Sequence, residues 1–351
     1  MIERYDDLAD VAAEWDALAD RVGAPPFVRP GWIAAWIDAF GSGHTVALAV
    51  RRDGRLVAVT ALIARRGGVY SPANSHTPVF DLLALDHDAA GELADGVLAL
   101  SGHRLDLSFL DPDGPGFAAW RASTARSGHR TIAWEVARAP YVSLDGEWTD
   151  YRDSLERKFR KELERLDRRL GDSGRVEFVV DEGSARWPEV LEEGLRIEGS
   201  GWKAENGTAI LSRPETARFY RTVAAWAAER GWLRLKFLRL DGRAVAFDLV
   251  LETDGVAHVL KGGFDPELRR LGPGMLLTER SLRRAFELGL RSYELHGSDD
   301  AYKLRWTSTT RSRVKTQAFP RSAAGTLTHL AFDRGRPLYR RARGRPPAER
   351  L

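Results

Sequence analysis

The sequence predicts an α/β fold arranged as two lobes, each a mixed sheet flanked by helices. Three observations carry this. Apolar runs of strand length alternate with stretches of helical period. Three Asp-Gly pairs, Asp53-Gly54, Asp241-Gly242 and Asp254-Gly255, join such runs as tight turns. The chain has 351 residues, more than one compact domain usually holds. The lobes are expected at residues 1–148 and 175–322, with a basic connecting helix over 149–174 and a C-terminal helix and basic tail, partly disordered, over 323–351.

In the first lobe, Leu8 to Leu18 reads as helical. Pro25-Pro26-Phe27 then introduces a helix whose Trp32, Trp36 and Phe40 recur at four-residue spacing and are expected in the core. Val46 to Val50 and Leu56 to Ile63 form a hairpin, Ser71 to Pro78 a loop, and Leu105 to Leu110 a short strand before the break at Asp111-Pro112-Asp113-Gly114-Pro115-Gly116. The connecting helix, Ser154 to Leu170, carries Leu155, Phe159, Leu163, Leu166 and Leu170 as one apolar stripe. Arg157, Lys158, Arg160, Lys161, Arg165, Arg168 and Arg169 cover much of the rest. Two readings stay open there: a solvated, ion-paired face, or a surface for phosphates of CoA, a carrier or tRNA.

The second lobe reads as strands Trp232 to Leu240, Ala244 to Glu252 and Val256 to Gly263. A helix from Met275 to Leu288 follows, closed by Gly289, and then strands Ser292 to His296 and Val314 to Phe319. Between the third strand and the helix lies Arg269-Arg270-Leu271-Gly272-Pro273-Gly274. Glycines there let the main chain approach an anion closely, and the N-H groups of the next helix point at it. An acyl-CoA pyrophosphate is the expected ligand. In a chain rich in Arg and Gly the letters alone arise by chance; the strand-to-helix position carries the inference. The terminal Arg334-Gly335-Arg336-Pro337 and Arg340 to Arg345 read as a disordered tail, with RNA or a membrane surface as the alternative contact.

Composition removes several classes. The chain has no Cys, which excludes disulfides, Cys-ligated zinc and a thiol nucleophile. His, Asp and Glu show no metal-site spacing, so no metal is expected. No apolar run reaches the ~20 residues of a membrane span, and the N-terminus lacks signal-peptide features, so a cytoplasmic location is expected. A net charge of +3 does not argue for nucleic acid.

The order of elements around Arg269-x-x-Gly272-x-Gly274 resembles the GCN5-related N-acetyltransferase (GNAT) superfamily. Across most of the chain, Pro26-Phe27 with Trp32 and Trp36, the basic helix from Ser154, Trp202-Lys203, Ala246-Phe247, Gly263-Phe264-Asp265, Gly272-Pro273-Gly274 and Tyr302-Lys303 with Trp306 are together similar to the CelD-like (BioF-like) acyltransferases, relatives of the Fem peptidyltransferases. The resemblance implies tandem GNAT-like lobes, with the donor loop kept in the second and a degenerate copy in the first. It implies N-acyl transfer from acetyl-CoA or another acyl-CoA to an amine, small molecule or peptide, by direct attack. Aminoacyl-tRNA-dependent transfer of Fem type is the alternative. A non-catalytic acyl-CoA-binding module is the third reading.

Acyl transfer needs a deprotonated amine, a polarised carbonyl and a proton for the departing thiolate. By the resemblance, backbone N-H groups of Leu260, Lys261, Gly262 and Gly263 polarise the carbonyl, while a bulge without function is the plain reading of the glycines. Asp248, sharing a strand face with Ala246 and Val250, is a candidate base or an ordinary paired carboxylate. His258 is a candidate relay or a structural histidine. Tyr302 is a candidate acid for the thiolate and Lys303 a substrate ligand, against a capping turn and a packed aromatic. Glu198 is a candidate acceptor ligand or base, and Trp202 and Lys203 candidate substrate contacts.

Overall fold

The computed structural model describes residues 1–100, 102–200 and 209–342. The chain divides into two compact units, Met1–Arg138 with Arg311–Leu351, and Ala139–Thr310.

In the first unit the strands are β1 (Ile2–Tyr5), β2 (His44–Arg52), β3 (Arg55–Arg65), β4 (Gly68–Tyr70), β5 (Leu83–Ala84), β6 (Leu105–Leu110) and the start of β7 (Arg130–Ser143), with β13 (Thr310–Phe319) returning from the far end of the sequence. They lie in the order β1-β2-β3-β4-β6-β13-β7, with β5 paired to β3. Helices α3 (His87–Leu98) and α4 (Pro115–Ser127) close a core around Leu62, Leu93, Leu107 and Trp120. Helix α1 (Ala12–Arg21) brings in the buried Trp15, and helix α2 (Pro30–Phe40) brings in Trp32 and Trp36, buried as their spacing predicts, while Phe40 at the helix end is only half-buried.

Strand β13 corrects the expected boundary at residue 322: its Val314 and Ala318 pair with β6, inside the first unit. The Arg334 to Arg341 stretch read as a loose tail falls within the helix Ala323–Ala342. Arg343 to Arg345 lie outside the described residues.

In the second unit the end of β7 is followed by α5 (Trp148–Ser154), α6 (Arg157–Gly171), β8 (Val176–Asp181), α7 (Trp187–Glu198), α8 (Pro214–Glu229), β9 (Leu233–Leu240), β10 (Arg243–Thr253), β11 (Val256–Phe264), α9 (Pro273–Glu287) and β12 (Ser292–Glu294). The sheet order is β7-β12-β11-β10-β9-β8. All three Asp-Gly turns form with both residues at positive φ, Asp53 50° and Gly54 74°, Asp241 50° and Gly242 79°, Asp254 50° and Gly255 72°. This left-handed pair matches the twist of antiparallel strands. The basic helix starts at Arg157 rather than Ser154, because Leu155 is extended and separates it from α5. Its apolar stripe is buried throughout, and its cations are exposed except for the half-buried Arg160.

Each unit contains a parallel strand pair joined through a helix, β4 to β6 through α3 and β11 to β12 through α9. Among the described residues no helix is long and apolar enough to cross a membrane.

Candidate active site

The Arg269-to-Gly274 segment lies between β11 and α9, as its sequence context requires. A 3-10 turn, Pro266–Leu271, begins at Asp265, whose side chain accepts from the Glu267 N-H at 3.0 Å and pairs with Arg243. Gly272 then turns left-handed, at φ 64° and ψ 39°, to start α9 with Pro273 in its first turn and no side-chain cap. A Cβ at Gly272 would lie 2.7 Å from Leu166 Cδ1 of α6, and one at Gly274 3.1 Å from Phe264 Cδ1. Both glycines are therefore needed for packing as well as for backbone freedom. The first-turn amides of α9 have no helical acceptor, and the helix dipole makes this end positive. In the first unit the corresponding helix, α3, starts differently: the Asp86 carboxylate accepts from Ala89 N-H at 2.8 Å, itself paired to Arg52 at 3.0 Å. A resident anion holds that helix end.

Strand β11 pairs with β12 only from Val256 to His258, opposite Ser292 to Glu294. On its other edge the ladder slips between Leu249 and Val250, which face Lys261 and Val259, so Leu260 is the extra residue of a β-bulge. The plain alternative puts a bulge at the glycines; the bulge falls two residues earlier. Beyond it the glycines make close approaches possible. A Cβ at Gly262 would lie 2.0 Å from Asp248 Oδ1, and one at Gly263 2.5 Å from Glu198 Cα.

Strand register sorts the candidate groups onto two faces. Phe247, Leu249 and Leu251 pair with Gly263, Lys261 and His258, and α7 covers this face, with Gly194 against the Phe247 ring. Glu198, at the end of α7, is 2% exposed and its Oε2 accepts from Ile210 N-H at 2.9 Å. Nearby, the Tyr220 hydroxyl is pushed well above the ordinary phenol range by burial and then by the Glu198 carboxylate, and the Lys261 ammonium lies 5.5 Å from the Tyr220 ring centre. His258 is buried on the same face, and its Nδ1 is 3.1 Å from Nε2 of His296.

Asp248 lies on the opposite face, under α9. It shares that face with Ala246 and Val250 as expected, yet directly across β9 stands Lys236, fully buried. Lys236 Nζ is 2.8 Å from Glu252 Oε1 and 5.6 Å from the Tyr293 ring centre. Burial lowers the Lys236 pKa, against the opposing pull of Glu252 and Asp248. Burial alone would raise that of Glu252, but the Lys236 ammonium and Arg234 guanidinium hold it below the usual carboxylate range. The surroundings of Asp248 are thus part of a buried charge network and not simply apolar. Because the carboxylate fills the place of a side chain at residue 262, Gly262→Ala is expected to displace it, visible as a changed environment of the Tyr293 phenol in NMR.

The segment after β12 forms a tight turn. Lys303 Nζ donates to His296 O at 2.8 Å and Ser298 O at 3.0 Å and lies 3.0 Å from Asp300 Oδ2. These three contacts tie its ammonium to the turn. Tyr302 is 59% exposed; its phenol is held above the ordinary range by local burial and then by Asp300 and Asp248. Trp202 and Lys203 lie outside the described residues. Lys236, Glu252, Tyr293 and His296 were not singled out in the sequence. A charged residue at an inward position of an apolar strand is the signal that could have found the first two. Among the described residues no group of three or more His, Asp or Glu side chains gathers as metal ligands.

Residues 157–304 match the family model described as the acetyltransferase (GNAT) domain. No curated protein sequence matches the chain. Among solved structures, FemX is similar at 13% identity with a TM-score of 0.61, over 93% of this chain and 99% of that one. The C-terminal DUF2156 domain of a lysylphosphatidylglycerol synthetase candidate from Agrobacterium fabrum gives 16% and 0.57, over 93% and 97%. L-PGS from Bacillus licheniformis gives 12% and 0.51, over 88% and 96%. Identities this low speak to fold alone.

Proposed function

We propose that this chain, whose residues 157–304 form a GNAT acetyltransferase domain in a fold shared with FemX, transfers an acyl group from acyl-CoA to an amine. The observation that carries the reading is the uncapped start of α9 at Gly272-Pro273-Gly274, set against the Asp86-capped start of α3 in the first unit. Only the former leaves a positive helix end to an external diphosphate. In this reading the Gly274 and Met275 amides take the donor's pyrophosphate, with Arg269 and Arg270 exposed beside them. Main-chain amides at and beyond the Leu260 bulge face the acyl carbonyl. Bound acyl-CoA supplies the activated thioester; the chain orients it and manages protons.

The acceptor is assigned to the face covered by α7, where Glu198 and His258 lie. Glu198 is placed there as the amine ligand: it is buried, its Oε2 accepts from Ile210 N-H, and Gly263 lets its backbone press directly on the strand. Asp248 then acts from the other face through the strand it touches at Gly262, and the exposed Tyr302 phenol is the acid for the departing thiolate. Thiol release from short and long acyl-CoAs, followed across a panel of primary amines, tests the reading. Amine-dependent release is expected; binding of CoA with no release for any amine would leave a binding module instead.

The exposed cations on α6 favour a second reading, an aminoacyl-tRNA donor, because this helix packs through Leu166 directly on Gly272. It predicts tRNA retention that falls steeply with salt. Retention that ignores salt, or none, counts against it.

A further inference from the structure

We propose that His258 and His296 form a single two-imidazole proton relay, and that Lys303 is its positioning residue. The proposal rests on the transferase reading for its chemical role, while the pairing itself does not depend on any substrate. The two rings are nearly parallel, 9° between planes with centroids 5.2 Å apart, and His258 Nδ1 meets His296 Nε2 at 3.1 Å. Both residues are buried, 6% and 7% exposed. They stand where β11 and β12 stop pairing, on the face assigned to the acceptor.

A nitrogen-to-nitrogen contact of that length holds one proton between the rings. A second proton would place two cations together in a poorly solvated site, so the pair changes charge as a unit. Nδ1 of His296 is sealed from solvent, so Nε2 of His258 is the end of the pair through which a proton enters and leaves. Among the described residues, titratable groups on this face and its edges include Glu294 beside His258, Tyr141 beside Glu294, Lys261, Tyr220 and Glu198, with Lys303 and Asp300 on the turn.

The turn is built to hold His296 in place. His296 has φ 48°, a left-handed conformation uncommon for a residue with a side chain, and strain of this kind persists only where neighbours enforce it. Lys303 enforces it by gripping the His296 and Ser298 carbonyls together, with Asp300 neutralising its charge. Gly297, at φ 66°, is the residue whose Cβ would come within 3.1 Å of the Lys303 ammonium. The polar run His296 to Lys303 is thereby explained as a device that sets one imidazole against another.

In the reaction, the amine nitrogen bonds to the carbonyl carbon and the carbon-sulfur bond breaks with its electron pair going to sulfur. One proton leaves the nitrogen and enters the pair; one leaves the pair for the thiolate. The relay ends as it began.

The test uses the full chain labelled with ¹⁵N-histidine, with long-range ¹H-¹⁵N spectra recorded across pH. The wild type is expected to show His258 and His296 titrating in two coupled steps separated by at least about one pH unit. His296→Gln should leave His258 titrating as one independent site, and His258→Gln the reverse, with the other histidines unchanged as the check on folding. Lys303→Met should also abolish coupling and Lys303→Arg preserve it. In the thiol-release assay, His296→Gln should lower kcat by about 10²- to 10⁴-fold with KM little altered. A His258 titration that is the same with and without His296 overturns the pair. Coupling with an undiminished kcat in His296→Gln overturns the relay. Coupling that survives Lys303→Met overturns the positioning role. Absence of any wild-type thiol release removes the transferase reading, and the relay's chemical role with it, even where the NMR coupling stands.

Discussion

Gly272→Val is expected to lose the thermal stabilisation that CoA confers on the wild type. A ligand at one hundred times its Kd adds about 2.7 kcal/mol. For a unit of this size that corresponds to a shift of roughly 5–10 °C. Valine at φ 64° is disfavoured by roughly 1–2 kcal/mol, and its Cβ would meet Leu166 at 2.7 Å, so the loop that presents the first amides of α9 cannot keep its shape. The baseline Tm falls as well; the informative quantity is the increment on adding CoA. Arg269→Ala, at an exposed side chain beside the loop, should reduce the increment without removing it. A full increment in Gly272→Val, measured by thermal shift, would mean that the donor binds elsewhere.

The second large effect concerns the face under α9. Lys236→Met is expected to destabilise the protein by about 3 kcal/mol in chemical denaturation, because it leaves the Glu252 carboxylate buried without its ammonium. The value sits at the low end of such losses because Arg234 still reaches Glu252 at 3.1 Å. Adding Glu252→Gln to Lys236→Met should recover part of the loss, since a neutral amide carries a smaller desolvation penalty. The pH dependence follows from the same pair. Glu252 has its folded pKa below its ordinary 4.5, so its contribution is complete above that value and is lost as pH falls through the folded pKa. Lys236 has its folded pKa below 10.5; between the two values the unfolded chain binds more protons, so this residue makes stability rise with pH in that window. Denaturation of Lys236→Met with an unchanged midpoint would show that the network does not support the fold.

Much of this architecture was legible in the sequence because it rests on local chemistry. Asp-Gly between apolar runs forces a left-handed pair, and all three such turns formed. Phe159, Leu163, Leu166 and Leu170 share one helical face and are buried; Leu155, extended ahead of the helix, is buried beside them. Gly272 and Gly274 were read at a strand-to-helix join, and they lie there. What escaped depends on partners far apart in sequence. Strand β13 was assigned to the wrong lobe because nothing in Thr310 to Phe319 records that its mate is Leu105 to Leu110. Asp248 was read among apolar neighbours because the register that sets Lys236 across from it comes from the β9–β10 ladder, including its slip between Ala244 and Ala246. His296 was passed over because its meaning lies in His258, thirty-eight residues earlier.

The α9 start as a diphosphate site is tested most directly by calorimetric titration of the full-length protein with CoA and, separately, with pantetheine, which has the thiol arm and lacks the pyrophosphate. The account predicts saturable binding of CoA, no measurable binding of pantetheine at the same concentrations, and no CoA binding by Gly272→Val. Equal binding of the two compounds, or CoA binding that survives Gly272→Val, would contradict it.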